Sequence, residues 1–323
     1  MWYNTVNIYE RKINMELGTV VLFLKQVLST LLTLCMMMSP AFGSDAESYS
    51  AKNSEELITS FAVVSDIHVE TNNPESYDNL YAVLEGIKAG EDITTAIYTG
   101  DNTMNGQILE SVFFYSAVKA VMPAENNFVA AGNHDFGNGD GDYERLRANY
   151  LANNALYLGN VIEKEYYYRV VDGCYMIILC SEDPSTSYFT MGNEQFEWLK
   201  GVLEEAKQAD APVFVFNHFP LRYLGTQAVK SEITVEEFAK LLSDYDVELY
   251  VHGHIHNNVD GPDNFFKSYG VDCINLGRVT ECTEYEAGNG IVVEVYDGEF
   301  VVRARDFIKG EWIEGLEYTY TID

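Results

Sequence analysis

The chain has 323 residues, 47% of them apolar and 13% aromatic, and 50 acidic against 20 basic side chains give it a formal net charge of -30. That composition supplies a sizeable buried core and excludes a chain disordered along its whole length. Its negative field repels DNA, RNA and anionic membranes, so no nucleic-acid polymer is expected as a partner, and a phosphorylated ligand has to find a local positive centre.

Residues 1–43 read as a leader. Arg11 and Lys12 precede an apolar run from about Leu17 to Met38, and Ala41 and Gly43 put small residues where a signal peptidase reads. The expectation is a cleaved signal peptide and a secreted or periplasmic chain with no stable membrane insertion. The rival is an uncleaved membrane anchor, because the run nearly reaches spanning length; Lys25 inside it weighs against that. Residues 44–57 are polar and expected to be flexible. Residues 58–323 are expected to form a single domain.

In that domain TSFAVVSD is an apolar strand ending at Asp66. Leu80, Val83, Leu84 and Ile87 recur at helical spacing. TTAIYTGD is a second strand ending at Asp101, ILESVFFYSAVKAV a helix, and NNFVAAGNHD a third strand that turns at Gly132. DYERLRANYLA is a helix. KEYYYRVVDGCYMIILCS is a hairpin with its turn at Asp172-Gly173. The amphipathic helix GNEQFEWLKGVLEEAKQ follows, then the strand APVFVFNH, the helix VEEFAKLLSDY, and the strands DVELYVHGH and GVDCINLG. A hairpin through Asp297-Gly298 and a last strand near LEYTYTI close the chain. Strands alternating with helices, interrupted by hairpins, predict an α/β fold with mixed sheets.

Of the mature chain's cysteines, Cys174 and Cys180 fall in an apolar strand and are expected as buried free thiols. Cys273 and Cys282 flank a loop and could pair. No C-x-x-C occurs, so neither a thiol-redox centre nor a cysteine zinc knuckle is indicated.

The polar clusters recur just past strand C-termini: Asp66 and His68, Asp101 and Asn102, Asn133 to Asp135, His218, and His252, His254 and His256. All six histidines of the chain fall in them. In layered α/β folds the loops at those ends converge on one crevice. Asp66 and His68 are two residues apart and would face one way in extended chain. A carboxylate such as Asp101 can bridge two ions, and a nitrogen–oxygen donor set of this kind suits manganese, iron or zinc. A pair of such ions activates water and steadies the leaving oxygen of a phosphoryl group.

The ordered set D-x-H, G-D, G-N-H-D, H, G-H-x-H resembles the calcineurin-like metallophosphoesterase superfamily, over roughly residues 60–280. The resemblance implies a four-layer α/β sandwich of two mixed β-sheets flanked by helices, and a dinuclear-metal hydrolase of phosphate esters acting on a small phosphorylated substrate. By motif, Asp66, His68, Asp101 and His256 would hold one ion; Asp101, Asn133, His218 and His254 would hold the other, with a bridging hydroxide as nucleophile. His134 would contact the phosphate and protonate the leaving oxygen, with Asp135 orienting it. Asn102 and Asn133 are candidate phosphate contacts.

Met104 stands where purple acid phosphatases carry a tyrosine, and the Asp-Arg of Ser/Thr protein phosphatases is missing. The tyrosinate-iron centre of the former is not expected, protein dephosphorylation is disfavoured, and the motifs leave monoester against diester open. Arg222, four residues beyond His218, is a candidate substrate contact in a chain short of cations, and Tyr188 and Phe189 are candidate rim aromatics. His252 lies outside the pattern and reads first as a packing residue, alternatively as a hydrogen-bond partner of a ligand. The competing functions are a catalytically silent metal-binding module of the same fold and a secreted carbohydrate-binding or structural protein.

Overall fold

The computed structural model describes residues 48–122, 126–139, 142–183, 188–223, 231–261, 264–280 and 287–322. The leader and Cys282 lie outside them. Among the described residues twelve strands form two six-stranded sheets. The first has the order β12-β11-β10-β1-β2-β3, built from β1 Thr59–Val64, β2 Thr95–Tyr98, β3 Asn127–Val129, β10 Asn289–Tyr296, β11 Glu299–Asp306 and β12 Glu311–Thr321. The second has the order β4-β5-β6-β7-β9-β8, from β4 Tyr167–Val171, β5 Cys174–Ile178, β6 Val213–Phe216, β7 Leu249–His252, β8 Phe265–Ser268 and β9 Val271–Asn275.

Both sheets are mixed. β1, β2 and β3 run parallel, and β10 joins β1 antiparallel. β5, β6, β7 and β9 run parallel, with antiparallel β4 and β8 at the edges. Among the described residues five α-helices cover the outside: α1 Pro74–Lys88, α2 Ile108–Val121, α3 Tyr143–Asn153, α4 Asn193–Ala209 and α5 Val235–Asp244. Their starts are chemically marked. Pro74 opens α1, and reciprocal capping boxes, Gln107 with Glu110 and Thr234 with Glu237, close the first turns of α2 and α5.

Strand periodicity explains the layering. Phe61 and Val63 of β1 face Phe214 and Phe216 of β6 in a core between the sheets, where the Phe61 ring meets Phe214 at 5.2 Å and Phe216 at 5.9 Å, edge to face. Ala62 and Val64 face the other way and pack with residues of α1 and α2. On the second sheet Ile177, Val215 and Tyr250 pack against α4 and α5. The inner strands are therefore buried on both faces and read as unbroken apolar runs. The result is the expected four-layer sandwich.

Several local readings change. β8 is an additional edge strand; FFKS is half exposed and has no apolar run to announce it. Residues 48–57, expected to be flexible, are pinned. Ala51 N–H donates to Asp92 Oδ2 (2.8 Å), Lys52 N–H to Glu294 Oε2 (3.0 Å), and Tyr49 exchanges backbone hydrogen bonds with Ala89 and Glu91. A polar sequence does not disclose partners that lie on distant strands. Cys174, Cys180 and Cys273 are all buried free thiols, and Cys282, the suggested partner of Cys273, lies outside the described residues. Among the described residues no helix is long and apolar enough to cross a membrane.

Candidate metal centre

Each predicted ligand sits two to four residues beyond the C-terminal end of a parallel strand: Asp66 and His68 after β1, Asp101 after β2, Asn133 after β3, His218 after β6, and His254 and His256 after β7. Parallel strands bring these loops to one edge, three from the first sheet and two from the second. The backbone there is not extended. Asp66 (φ 54°), His68 (48°), Asp101 (49°), His254 (72°) and His256 (60°) lie in the left-handed region, and they are five of the ten non-glycine residues that do so among those described. The extended-chain argument for Asp66 and His68 therefore fails, although the two side chains do meet. The loops turn sharply at the strand ends, and the strain of those turns gathers at this site.

Close approach needs glycine at two points. A Cβ on Gly132 would collide with the Asp101 carboxylate, and one on Gly253 with Asp66 and Ser65. With both absent, the backbone reaches the carboxylates. His134 N–H donates to Asp101 Oδ1 (2.9 Å) and His254 N–H to Asp66 Oδ2 (3.0 Å). Each aspartate thus has one oxygen held by backbone and one turned inward. Asp66 Oδ1 lies 2.9 Å from His256 Nε2; Asp101 Oδ2 lies 3.1 Å from His218 Nε2 and 3.8 Å from His68 Nε2.

Donor atoms of Asp66, His68, Asp101 and His256 fall within 4.8 Å of one another, as do those of Asp101, His218 and His254, with Asp101 common to both groups. His68 Nε2 faces His256 Nε2 at 3.1 Å, and His254 Nδ1 faces His218 Nε2 at 3.2 Å. His218 Nδ1 is 3.1 Å from the Thr99 carbonyl, which commits that nitrogen to donate and leaves Nε2 to coordinate. Asn133 is anchored by Nδ2 donating to Asn138 Oδ1 (3.0 Å), while its buried Oδ1 has no hydrogen-bond partner. Lone pairs that converge across about 3 Å, with an orphaned carbonyl beside them, fit a pair of cations. Six of the seven predicted ligands form these two groups, and the seventh, Asn133, lies between Gly132 and His134, both of which approach Asp101.

The charges are strongly coupled. Burial pushes the Asp66 carboxyl up, but the charge of His256 and hydrogen bonds from His256 and His68 hold it well below the usual carboxylate range. Burial acts alike on Asp101, where the charge and hydrogen bond of His218 prevail and lower it. Burial pulls His218 down, yet the Asp101 carboxylate beside it raises it to about 9. Burial and the nearby His218 charge lower His254 to about 4.

Other predicted contacts are placed differently. His134 packs edge to face on His68, ring centroids 4.8 Å apart, and its Nδ1 is 2.7 Å from the Met104 carbonyl, leaving Nε2 available. That carbonyl, not Asp135, orients the ring. The Asp135 carboxylate instead accepts from Asn102 N–H, Asn102 Nδ2, Thr103 N–H, Thr103 Oγ1 and Gly132 N–H, and so ties the β2 and β3 loops together. Asn102 is buried, with Nδ2 also donating to the Ala130 carbonyl (2.9 Å), which places it in support of the site and not on its open side. Arg222 is exposed on the short turn Leu221–Tyr223, and its charge is felt at His252. Phe189 is fully buried against Phe219 and Phe238, so it is core and not rim. Met104 and Thr103 are the contributors that the motifs pass over. Met104 acts through its backbone, which no side-chain pattern records.

A family profile described as calcineurin-like phosphoesterase matches residues 59–258, from the first residue of β1 to just past His256. Among solved structures, the chain is similar to a dimetal phosphatase from Danio rerio, with TM-score 0.55 and 16% identity over 83% of this chain and 100% of that one. It is also similar to a protein serine/threonine phosphatase from Saccharomyces cerevisiae (TM-score 0.41, 14% identity, 85% of this chain, 83% of that one) and to vacuolar protein sorting 29 from Cryptosporidium parvum (0.39, 12%, 81% and 98%). The first of these shows a shared fold. A search of curated proteins finds no match.

Proposed function

The chain belongs to the calcineurin-like phosphoesterase family, and from that premise we propose that it hydrolyses esters of small phosphorylated molecules with two metal ions, manganese, iron or zinc, held by the histidine–aspartate cluster. The observation that carries this reading is the convergence of both donor groups on the shared Asp101 carboxylate. Two cations there would neutralise phosphate charge and activate a water for attack on phosphorus. In a chain of net charge -30 they also provide the local positive centre that an anionic substrate requires.

The chain's own groups supply the rest. Asp66 and Asp101 are pre-aimed by backbone N–H donors, so binding requires little rearrangement. His134 stands beside the cluster with its tautomer set by the Met104 carbonyl. Its Nε2 is the atom that would meet the phosphate and give a proton to the leaving oxygen. Asp135 acts through the loops, holding the His134 turn against the Asp101 turn. With a cleaved leader, this chemistry would take place outside the cytoplasm.

The test is a paired rate measurement on a phosphomonoester and a phosphodiester with one leaving group, using protein reconstituted with manganese and His134→Ala as the blank. Turnover of either ester above the blank, with two ions per chain, is expected, and the preferred ester fixes the substrate class. Two bound ions with no turnover of either would make the chain a silent metal-binding module and end the hydrolase reading.

A further inference from the structure

We propose that His252, outside the ligand set, is a positioning residue that fixes the Gly253–His254 peptide against the Asp66 carboxylate and so sets the geometry of the metal centre. This rests on the metal-binding reading above. His252 closes β7 with its side chain buried, on the outward face it shares with Tyr250, between the rings of Tyr250 (6.1 Å) and Phe266 (6.0 Å). Its Nδ1 lies 3.0 Å from the Gly253 carbonyl oxygen. A carbonyl only accepts, so Nδ1 carries the hydrogen.

That carbonyl and the His254 N–H belong to one peptide unit, and the N–H donates to Asp66 Oδ2 at 3.0 Å. A donor on the carbonyl fixes the rotation of the peptide plane and strengthens its N–H as a donor. With Oδ2 held, Asp66 turns Oδ1 toward His256 Nε2 at 2.9 Å. The same peptide leads into His254 at φ 72°, a backbone state that persists only where its surroundings enforce it. The neighbouring Gly253 N–H is bound to the His218 carbonyl (3.1 Å), so one turn links His252, His218, His254 and Asp66.

The rival role is packing alone. His252 Nε2 is buried without a hydrogen-bond partner. An apolar side chain would fill the space without leaving that nitrogen unpaired, which is an expense of burial that only the Nδ1 contact offsets.

The two roles separate by which nitrogen is kept. An Asn amide nitrogen falls near the Nδ1 position, and a Gln amide nitrogen near Nε2. His252→Asn therefore keeps the donor and loses volume; His252→Gln keeps volume and displaces the donor; His252→Leu removes the donor. Each variant and the wild type, with folding checked by circular dichroism, would be titrated with cobalt(II) by its visible absorption. The expected result is two ions in the wild type, near-wild-type affinity and spectrum for His252→Asn, and affinity at one site lowered by about 10–100-fold with an altered spectrum for the Gln and Leu variants. Gln binding as well as or better than Asn, or three variants with wild-type affinity, would overturn the proposal. A wild type that takes up no cobalt would instead overturn the metal reading on which it rests.

Discussion

On the outer side of the first sheet, the Arg305 guanidinium lies over the Tyr49 ring (3.8 Å) and near the Trp312 ring (4.8 Å), and Arg303 lies over Trp312 (3.4 Å) with Nη1 on Glu294 Oε1 (2.9 Å). Arg305 Nη2 donates to the Gly310 carbonyl (2.8 Å). At the strand C-termini, by contrast, His68 faces His256 and His254 faces His218 nitrogen to nitrogen, and the buried Asn133 Oδ1 has no hydrogen-bond partner. Both regions hold charged groups away from water. In the clamp each cation meets a ring face and an oxygen, although Arg305 Nε has no hydrogen-bond partner. In the crevice Asp101 pairs with His218 and Asp66 with His256, yet two pairs of histidines face each other nitrogen to nitrogen, an arrangement that bound cations would complete. Cations set on rings and oxygens bind the fold to itself, whereas buried donor atoms that face one another mark a place where a ligand fits.

The sharpest way to break that contrast is Asp101→Ala. It removes the group common to both donor sets, so metal content should fall below one ion per chain and turnover to the blank; two retained ions by elemental analysis would show that Asp101 does not bridge. His134→Ala should keep both ions and lose about 10²–10⁴-fold in turnover of an ester with a poor leaving group. Full activity of that variant on activated and unactivated esters alike would remove His134 from the chemistry.

The metal-free crevice offers a pH test. His218, at about 9 in the folded chain through Asp101, has an ordinary value near 6.5 when unfolded. Its contribution, up to about 3 kcal/mol, is fully present below about pH 6.5 and is lost as pH rises through about 9. Denaturant unfolding in chelator across that window should show the decline, and metal-loaded protein, in which an ion replaces the proton, should not. An equal decline in both would detach it from this pair.

On the clamp side, Trp312→Ala should cost about 2 kcal/mol of stability. It should leave turnover per folded molecule and metal content unchanged; reduced metal affinity would mean that the two regions are coupled. The smallest effect concerns the acidic body. Raising salt to physiological strength should raise kcat/KM for an anionic ester by about two- to threefold through screening, with metals bound. A fall would show that attraction at the crevice dominates at long range.

Much of this could be read along the chain. Apolar runs ending in Asp66, Asp101 and His218 located the strands, and Asp172-Gly173 and Asp297-Gly298 located the hairpins, because strand periodicity and turn chemistry are local properties. The seven candidate ligands were legible because their residue types are rare and their order is that of a family. β8 and the pinned segment at 48–57 were not, since each depends on partners far away in sequence. The role of Asp135 was misread for the same reason: adjacency to His134 suggested a contact, while the fold directs its carboxylate to Asn102, Thr103 and Gly132.

Sequence by itself determined which side chains could hold metal and that they follow strand ends, because residue identity and local periodicity are written in the chain. Tertiary structure alone decided their aim. The left-handed turns at Asp66, His68, Asp101, His254 and His256, the backbone N–H donors that hold two carboxylates, and the Met104 carbonyl that orients His134 all arise where loops from two sheets meet. Backbone groups are the same at every residue, so what they bind is fixed only by where the fold puts them.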